Sequence, residues 1–252
     1  MIEIFILSVV QGITEFLPIS SSSHLIIMSN FINFEKQSLV IDVNLHIGSL
    51  IAVVTYFYKD IVGFVKNKQL LIKILVSSIP VIVVGFILVK ANFIEKLRNI
   101  EVIGWTTLIF GVLLYISDKF KLEKNLNENF NYKTALIIGL FQILSLIPGV
   151  SRSGITITAG RFLGFKRFDA SKISFLLSIP TLTAVSIYGL SAILTERNLE
   201  VLSLNYLSIL FSFIFSYLTI KYFLNYISKF SMSLFVFYRL ALGVILMSII
   251  YL

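Results

Sequence analysis

The sequence predicts an all-α polytopic membrane protein made of two inverted-topology repeats, each a re-entrant helical hairpin followed by three transmembrane helices. Three observations predict it. Of the 252 residues, 57% are hydrophobic and only 13% are charged, and the mean hydropathy is +0.94. Several apolar runs approach the length needed to cross a bilayer. Two other runs are interrupted at a proline in the same manner, and the order of broken and unbroken runs is stated twice along the chain.

The first hairpin spans Met1 to about Asn30. Its apolar start stops at Pro18, and a serine run, Ser20 to Ser23, leads through His24 into another short apolar piece. No cleavage site follows that start, so no removable signal peptide is expected. Apolar segments follow at about Asn44 to Tyr58, Ile72 to Val89 and Val102 to Ile116, and a polar, lysine- and asparagine-rich connection covers Ser117 to Lys133. The second hairpin, Thr134 to about Gly164, breaks at Pro148-Gly149, and three more spans lie at about Ile173 to Leu194, Leu204 to Leu224 and Leu234 to Leu252. This gives one membrane domain over 1–252, with repeat one at about 1–125 and repeat two at about 130–252. Weak echoes support the pairing: Leu17-Pro18-Ile19-Ser20 faces Ile147-Pro148-Gly149-Val150-Ser151, and Gly111-Val112-Leu113-Leu114 faces Gly243-Val244-Ile245-Leu246. A unit with three crossings returns the chain to the opposite side, so the second copy is inverted, and broken helices meeting at the midplane mark a binding site.

Lysine and arginine are distributed 14 to 5 between the two faces this topology defines, leaving Arg152 and Arg239 in the membrane region. The richer face is expected to be cytoplasmic. Both termini and the mouth of the first hairpin then face outward. The net charge of +8 sits between apolar runs, which fits membrane loops rather than nucleic-acid binding. With no cysteine, the chain has no disulfide, thiolate metal site or thiol nucleophile. Trp105 and the eleven tyrosines read as interface anchors.

The chemistry is concentrated at the two breaks. Backbone leaves a helix at membrane depth only where protein or a water-filled cavity satisfies it. Arg152 lies at the tip of the second break, where a guanidinium is costly without an anion and matches phosphate through its planar fork. Ser151, Ser153 and Thr156 add hydroxyls, and Gly149 and Gly154 let backbone N–H groups approach an anion. On the first hairpin, Gln11 and Glu15 share a helix face, four residues apart, and His24 follows nine residues after Glu15. Carboxylate, imidazole and hydroxyls are the parts that activate a nucleophile, and phosphoryl transfer needs little beyond these, charge neutralisation and sometimes a divalent metal. His46, beside Asp42 and Asn44 at the start of a span, reads as interfacial or helix-packing. Arg239 joins the site or binds headgroups.

Gln11-Gly-Ile-Thr-Glu15-Phe-Leu-Pro-Ile-Ser-Ser-Ser-Ser-His24 and Pro148-Gly-Val-Ser-Arg-Ser-Gly-Ile-Thr156 resemble the two signature motifs of the undecaprenyl-diphosphate phosphatases of the bacitracin-resistance family. The likeness extends to Gly48-Ser-Leu-Ile-Ala-Val-Val, Ser174-Phe-Leu-Leu-Ser-Ile-Pro180 and Tyr238-Arg239. The resemblance implies a multi-pass enzyme of the bacterial plasma membrane that removes the terminal phosphate of a polyprenyl diphosphate lipid, recycles the carrier for peptidoglycan synthesis and confers bacitracin resistance. It implies Glu15, Ser21, His24 and Arg152 as catalytic residues, with Gln11, Ser20, Ser151, Ser153 and Thr156 around the substrate. Either Ser21 or His24 serves as the nucleophile on this reading. The family's first acidic position holds Gln11 here, so a divalent cation (Mg or Ca) would rest on Glu15 and the substrate's own phosphates. No organic cofactor and no nucleic acid are expected, and a homodimer is compatible with the sequence. A polyprenyl-phosphate transporter or flippase without hydrolysis would share the architecture; Ser21 beside His24 favours the enzyme.

Overall fold

The computed structural model describes residues 2–31, 39–66, 68–120, 123–194 and 199–251. The basic residues Lys36, Lys121 and Arg197, used above in the charge count, lie outside them. Among the described residues the chain is helical, with no strand beyond an isolated bridge between Lys124 and Phe165.

The first hairpin is α1 (Ile2–Thr14) and α2 (Ser21–Phe31), separated by the break at 15–20. Next come α3 (Leu39–Tyr56), α4 (Tyr58–Lys66), α5 (Lys68–Lys90), the short α6 (Phe93–Leu97) and α7 (Ile100–Asp118). After α8 (Leu126–Asn129), the second hairpin forms from α9 (Tyr132–Ile143), a 3-10 turn at Leu144–Leu146, and α10 (Arg152–Phe162). The long helices α11 (Arg167–Leu194), α12 (Leu199–Ile227) and α13 (Ser233–Tyr251) complete the chain. Asn99 caps α7 by accepting from Val102 N at 2.9 Å, and Asn131 with Thr134 forms a reciprocal cap on α9.

Five helices, α5, α7, α11, α12 and α13, are long and apolar enough to cross a membrane. The first of the six expected spans, placed at about Asn44 to Tyr58, lies slightly earlier at Ile41–Tyr56 and is shorter than the other five. Its hydrogen-bond ladder nevertheless passes through Phe57, whose N–H donates to Val53 and whose carbonyl accepts from Ile61, so α3 leads directly into α4. Burial is inverted relative to a water-soluble bundle. Ile79, Val83 and Phe86 on α5 and Phe237, Val244 and Ile245 on α13 are exposed, while Ser77, Ser78, Thr107 and Arg239 are buried. Apolar surface turned outward on this scale is the face a bilayer solvates.

Helix pairing repeats itself across the two halves. Hairpin helix α1 packs on α12 and hairpin helix α9 on α5, while α3 lies against α11 and α7 against α13. Small residues permit the close approaches. A Cβ at Gly12 would lie 2.6 Å from Phe215 Cβ, and one at Gly139 would collide with the Ser77 carbonyl. Ser77 Oγ donates back to Ala135 O at 2.7 Å, and Ser49 bonds Ser212 and Ser216 across the α3–α12 seam. An aromatic chain, Phe16, Phe175, Phe223 and Phe235 with neighbouring ring centroids 5.2 to 5.6 Å apart, fills the centre. At one end of the bundle Asp118 accepts from Arg167 Nε at 2.6 Å and from Met232 N at 3.0 Å, joining α7, α11 and the start of α13.

Gly139→Val should lower resistance to SDS-driven unfolding by about 1–3 kcal/mol, because the added carbons wedge α9 from α5. Gly63→Ala, where a Cβ meets nothing within 4 Å, should change it by less than about 1 kcal/mol.

Candidate active site

Both hairpins break in the same way. The residue before each returning half-helix is a serine in the left-handed region, Ser20 at φ 73 and Ser151 at φ 71, and both half-helices run for 11 residues. A non-glycine residue there costs roughly 1–3 kcal/mol and persists only where its surroundings fix it. In each case the serine hydroxyl turns onto its own helix. Ser20 Oγ accepts from Ser23 at 2.9 Å and lies 3.3 Å from Ser22 Oγ. Ser151 Oγ accepts from Gly154 N at 3.1 Å and lies 3.1 Å from Ser153 Oγ. Gly149, at φ 92, packs so tightly on Thr106 that only hydrogen fits.

Glu15 sits where the two breaks meet, 7% exposed. Its Oε1 accepts from Arg152 Nη2 at 2.8 Å, and its Oε2 accepts from Ser21 Oγ at 2.7 Å and from Gln11 Nε2 at 2.9 Å. Ser21 and Arg152 are the first residues of α2 and α10, so one carboxylate joins the starts of both half-helices. Phe16 supports the guanidinium with its ring centroid 6.0 Å from Cζ. His46 Nε2 reaches within 4.0 Å of Glu15 Oε2 from α3.

A cavity of about 490 Å³ opens over this junction. Its polar end is lined by Glu15, Ser20, Ser21, Ser22, His46, Ser151 and Arg152. Its walls are apolar: Val81, Ile82, Phe86 and Val89 from α5, Leu146, and Leu182 and Val185 from α11. A charged floor under apolar walls suits an amphiphile with an anionic head and a hydrocarbon tail. The N–H groups at the starts of α2 and α10 add positive partial charge there.

Of the residues picked from sequence, the structure gathers Glu15, Ser20, Ser21, Ser151 and Arg152 at the cavity. Gln11 is fully buried behind Glu15, which it holds. Ser153 and Thr156 point into protein: Ser153 Oγ donates to Leu17 O at 2.7 Å across the two breaks, and Thr156 Oγ1 donates to Ser174 Oγ at 2.7 Å. His24 is turned away from Ser21. Its Nδ1 is 2.7 Å from Ser20 O and its Nε2 is 2.5 Å from Tyr238 OH, and it does not line the cavity. The imidazole in the cavity is His46, read from sequence as interfacial or helix-packing. The signal for it was a polar pair, His46 and Ser49, one helical turn apart inside an apolar run.

Among the described residues Glu15 is the one carboxylate lining the cavity, and its two oxygens already accept three bonds. No group of three His, Cys, Asp or Glu side chains gathers among the described residues. The donor set does not make the cage of six to eight oxygens that a resident calcium ion takes.

Arg152→Ala should destabilise the protein by about 3–5 kcal/mol, because it leaves the Glu15 carboxylate buried and unpaired. Adding Glu15→Gln should recover more than half of that loss, as read by thermal unfolding in detergent.

The bacitracin resistance protein BacA family matches residues 4–245. The undecaprenyl-diphosphatase of Pelagibacter ubique is 51% identical over 254 residues, covering 99% of this chain and 98% of that one. That of Saccharophagus degradans is 43% identical, with 97% and 96% covered, and that of Jannaschia sp. is 37% identical, with 98% of each covered. The match begins within α1 and ends within α13, so it takes in both broken hairpins and every wall of the cavity, and the chain belongs to the bacitracin resistance protein BacA family.

Proposed function

We propose that this protein is a membrane phosphatase that hydrolyses undecaprenyl diphosphate to undecaprenyl phosphate and inorganic phosphate, returning the carrier lipid to envelope synthesis. The observation that carries the reading is the three-way contact of Glu15 with Ser21 and Arg152 on the floor of an apolar-walled cavity.

The roles follow from the donors and acceptors. When the diphosphate enters, Arg152 turns its fork from Glu15 to phosphate oxygens, and free N–H groups at the starts of α2 and α10 take up further charge. Glu15 is then free to accept the Ser21 proton along the 2.7 Å bond that already exists. Ser21 Oγ forms a bond to the terminal phosphorus as the bridging P–O bond breaks, and the lipid monophosphate leaves. Water then attacks the phosphoserine phosphorus as the Ser21 Oγ–P bond breaks; Glu15 returns its proton to Ser21 Oγ, and both protons of the water leave on inorganic phosphate. The amide of Gln11 orients Glu15, and His46 borders it. A phosphohistidine route is less well supported, because both His24 nitrogens are engaged outside the cavity. No step runs through a metal; Glu15 is the residue that would hold a divalent cation, which would supply charge neutralisation at the diphosphate.

The inverted-repeat organisation is supported by the matched pairings of α1 with α12 and α9 with α5. With the lysine-rich face inward, α5 and α11 end on the outer side, and the cavity residues Val81–Val89 and Thr181–Val185 occupy their outer halves. This reading opens the site to the extracytoplasmic face of the bacterial plasma membrane, with both termini outside.

Purified protein should release phosphate from undecaprenyl diphosphate in detergent far faster than from soluble phosphoesters; no release would end the reading. Ser21→Ala, Glu15→Gln and Arg152→Ala should each lower kcat/KM by at least about a hundredfold. Trapped intermediate should be acid-stable phosphoserine rather than acid-labile phosphohistidine. Because the chain has no cysteine, Val89→Cys should react in intact spheroplasts with a membrane-impermeant maleimide.

A further inference from the structure

Among the described residues Arg239 is the largest fully buried side chain, at 0% exposure on α13. Among the described residues no carboxylate pairs with it. All of its hydrogen bonds go to backbone carbonyls: Nη1 to Pro18 O and Val150 O, each at 3.1 Å, Nη2 to Gly149 O at 2.8 Å, and Nε to Thr107 O at 3.3 Å. Pro18 belongs to the first break, Gly149 and Val150 to the second, and Thr107 to α7. One guanidinium therefore grips both interrupted segments from behind, at the residues just before the left-handed serines.

The grip has a chemical direction. The Val150–Ser151 peptide is trans, as are all peptides among the described residues, and in a trans peptide the N–H points opposite to its carbonyl. Because Val150 O is turned to Arg239, the N–H of Ser151 is turned away from it, and Ser151 lines the cavity. The same hold sets the spacing of the two breaks, and with it the place of Ser21 and Arg152 on either side of Glu15. We infer that Arg239 is the positioning residue of the site: it registers the two half-helices so that nucleophile, base and clamp converge on one phosphoryl group. A lysine cannot replace it, since a single ammonium lacks the planar fork that reaches three loop carbonyls at once.

The inference rests on the phosphatase reading, and the test separates the two. Wild-type protein that releases no phosphate ends that reading, whatever Arg239 does. With wild-type active, Arg239→Lys should lower kcat by about a hundredfold, the scale of a misplacement of roughly 1 Å, while KM for the lipid diphosphate moves less than about threefold because the apolar walls still hold the tail. Gly111→Ala is the second variant, for the case in which the lysine protein does not fold. Its Cβ would lie 3.2 Å from Arg239 Cβ and 3.6 Å from Nε, pushing the side chain without deleting it, and kcat should again fall with KM held. Thermal unfolding of each variant gives the folded fraction used to normalise kcat. Normal kcat per folded molecule in both variants would overturn the inference and leave Arg239 as fold support only. A rise in KM at unchanged kcat would overturn it too, since that is the mark of direct substrate binding.

Discussion

A peptide carbonyl shut away from water must find another partner, and this membrane protein breaks two helices inside its bundle. The structure depends on how those freed groups are satisfied. Arg239 takes three loop carbonyls, Thr106 donates to Pro148 O at 2.6 Å, and Ser153 donates to Leu17 O at 2.7 Å. Each break is thus closed by the other break or by a spanning helix rather than by solvent. The two hairpins cannot hold their shape separately, and the site exists only as their junction.

That junction also explains how a charged cluster survives at depth. Glu15 and Arg152 would each be prohibitive alone in a low-dielectric interior. Together, with Gln11 and Ser21 filling the remaining acceptor positions, they form a nearly complete network whose remaining access is the cavity. The arrangement stores its reactivity in a pairing that an incoming anion can exchange, because Arg152 has a better partner in a diphosphate than in a single carboxylate.

Much of this was legible in the sequence, for physical reasons. Proline, serine and charge inside apolar runs are expensive, so Pro18, Pro148, Glu15 and Arg152 announced the breaks and the charged contact between them. The direction of His24 was not legible. It depends on the left-handed turn at Ser20, which sets where α2 starts and so which way its third turn-mate of Ser21 points; the ring found Tyr238 on α13 instead of the cavity. The nearness of His46 to Glu15 was not legible, because its position is fixed by packing between helices distant in sequence: Gly48 lets α3 settle on the backbone of Ile209, which sets where the imidazole lies. Ser153 and Thr156 carried the right motif but spend their hydroxyls on holding the fold. The first span was placed a few residues late, since α3 is already helical at Leu39 and its ladder continues through Phe57 into α4.

The walls of the cavity carry one more consequence. They are mostly faces of α5 and α11, helices that also carry large exposed apolar side chains, so on the proposed reading a long isoprenoid would reach the floor by moving sideways within its leaflet. Reactant and product then share that doorway and the same tail, and compete for it. Flux through such an enzyme tracks the mole fraction of each lipid in the surrounding sheet, a two-dimensional quantity that no concentration in the adjoining water describes.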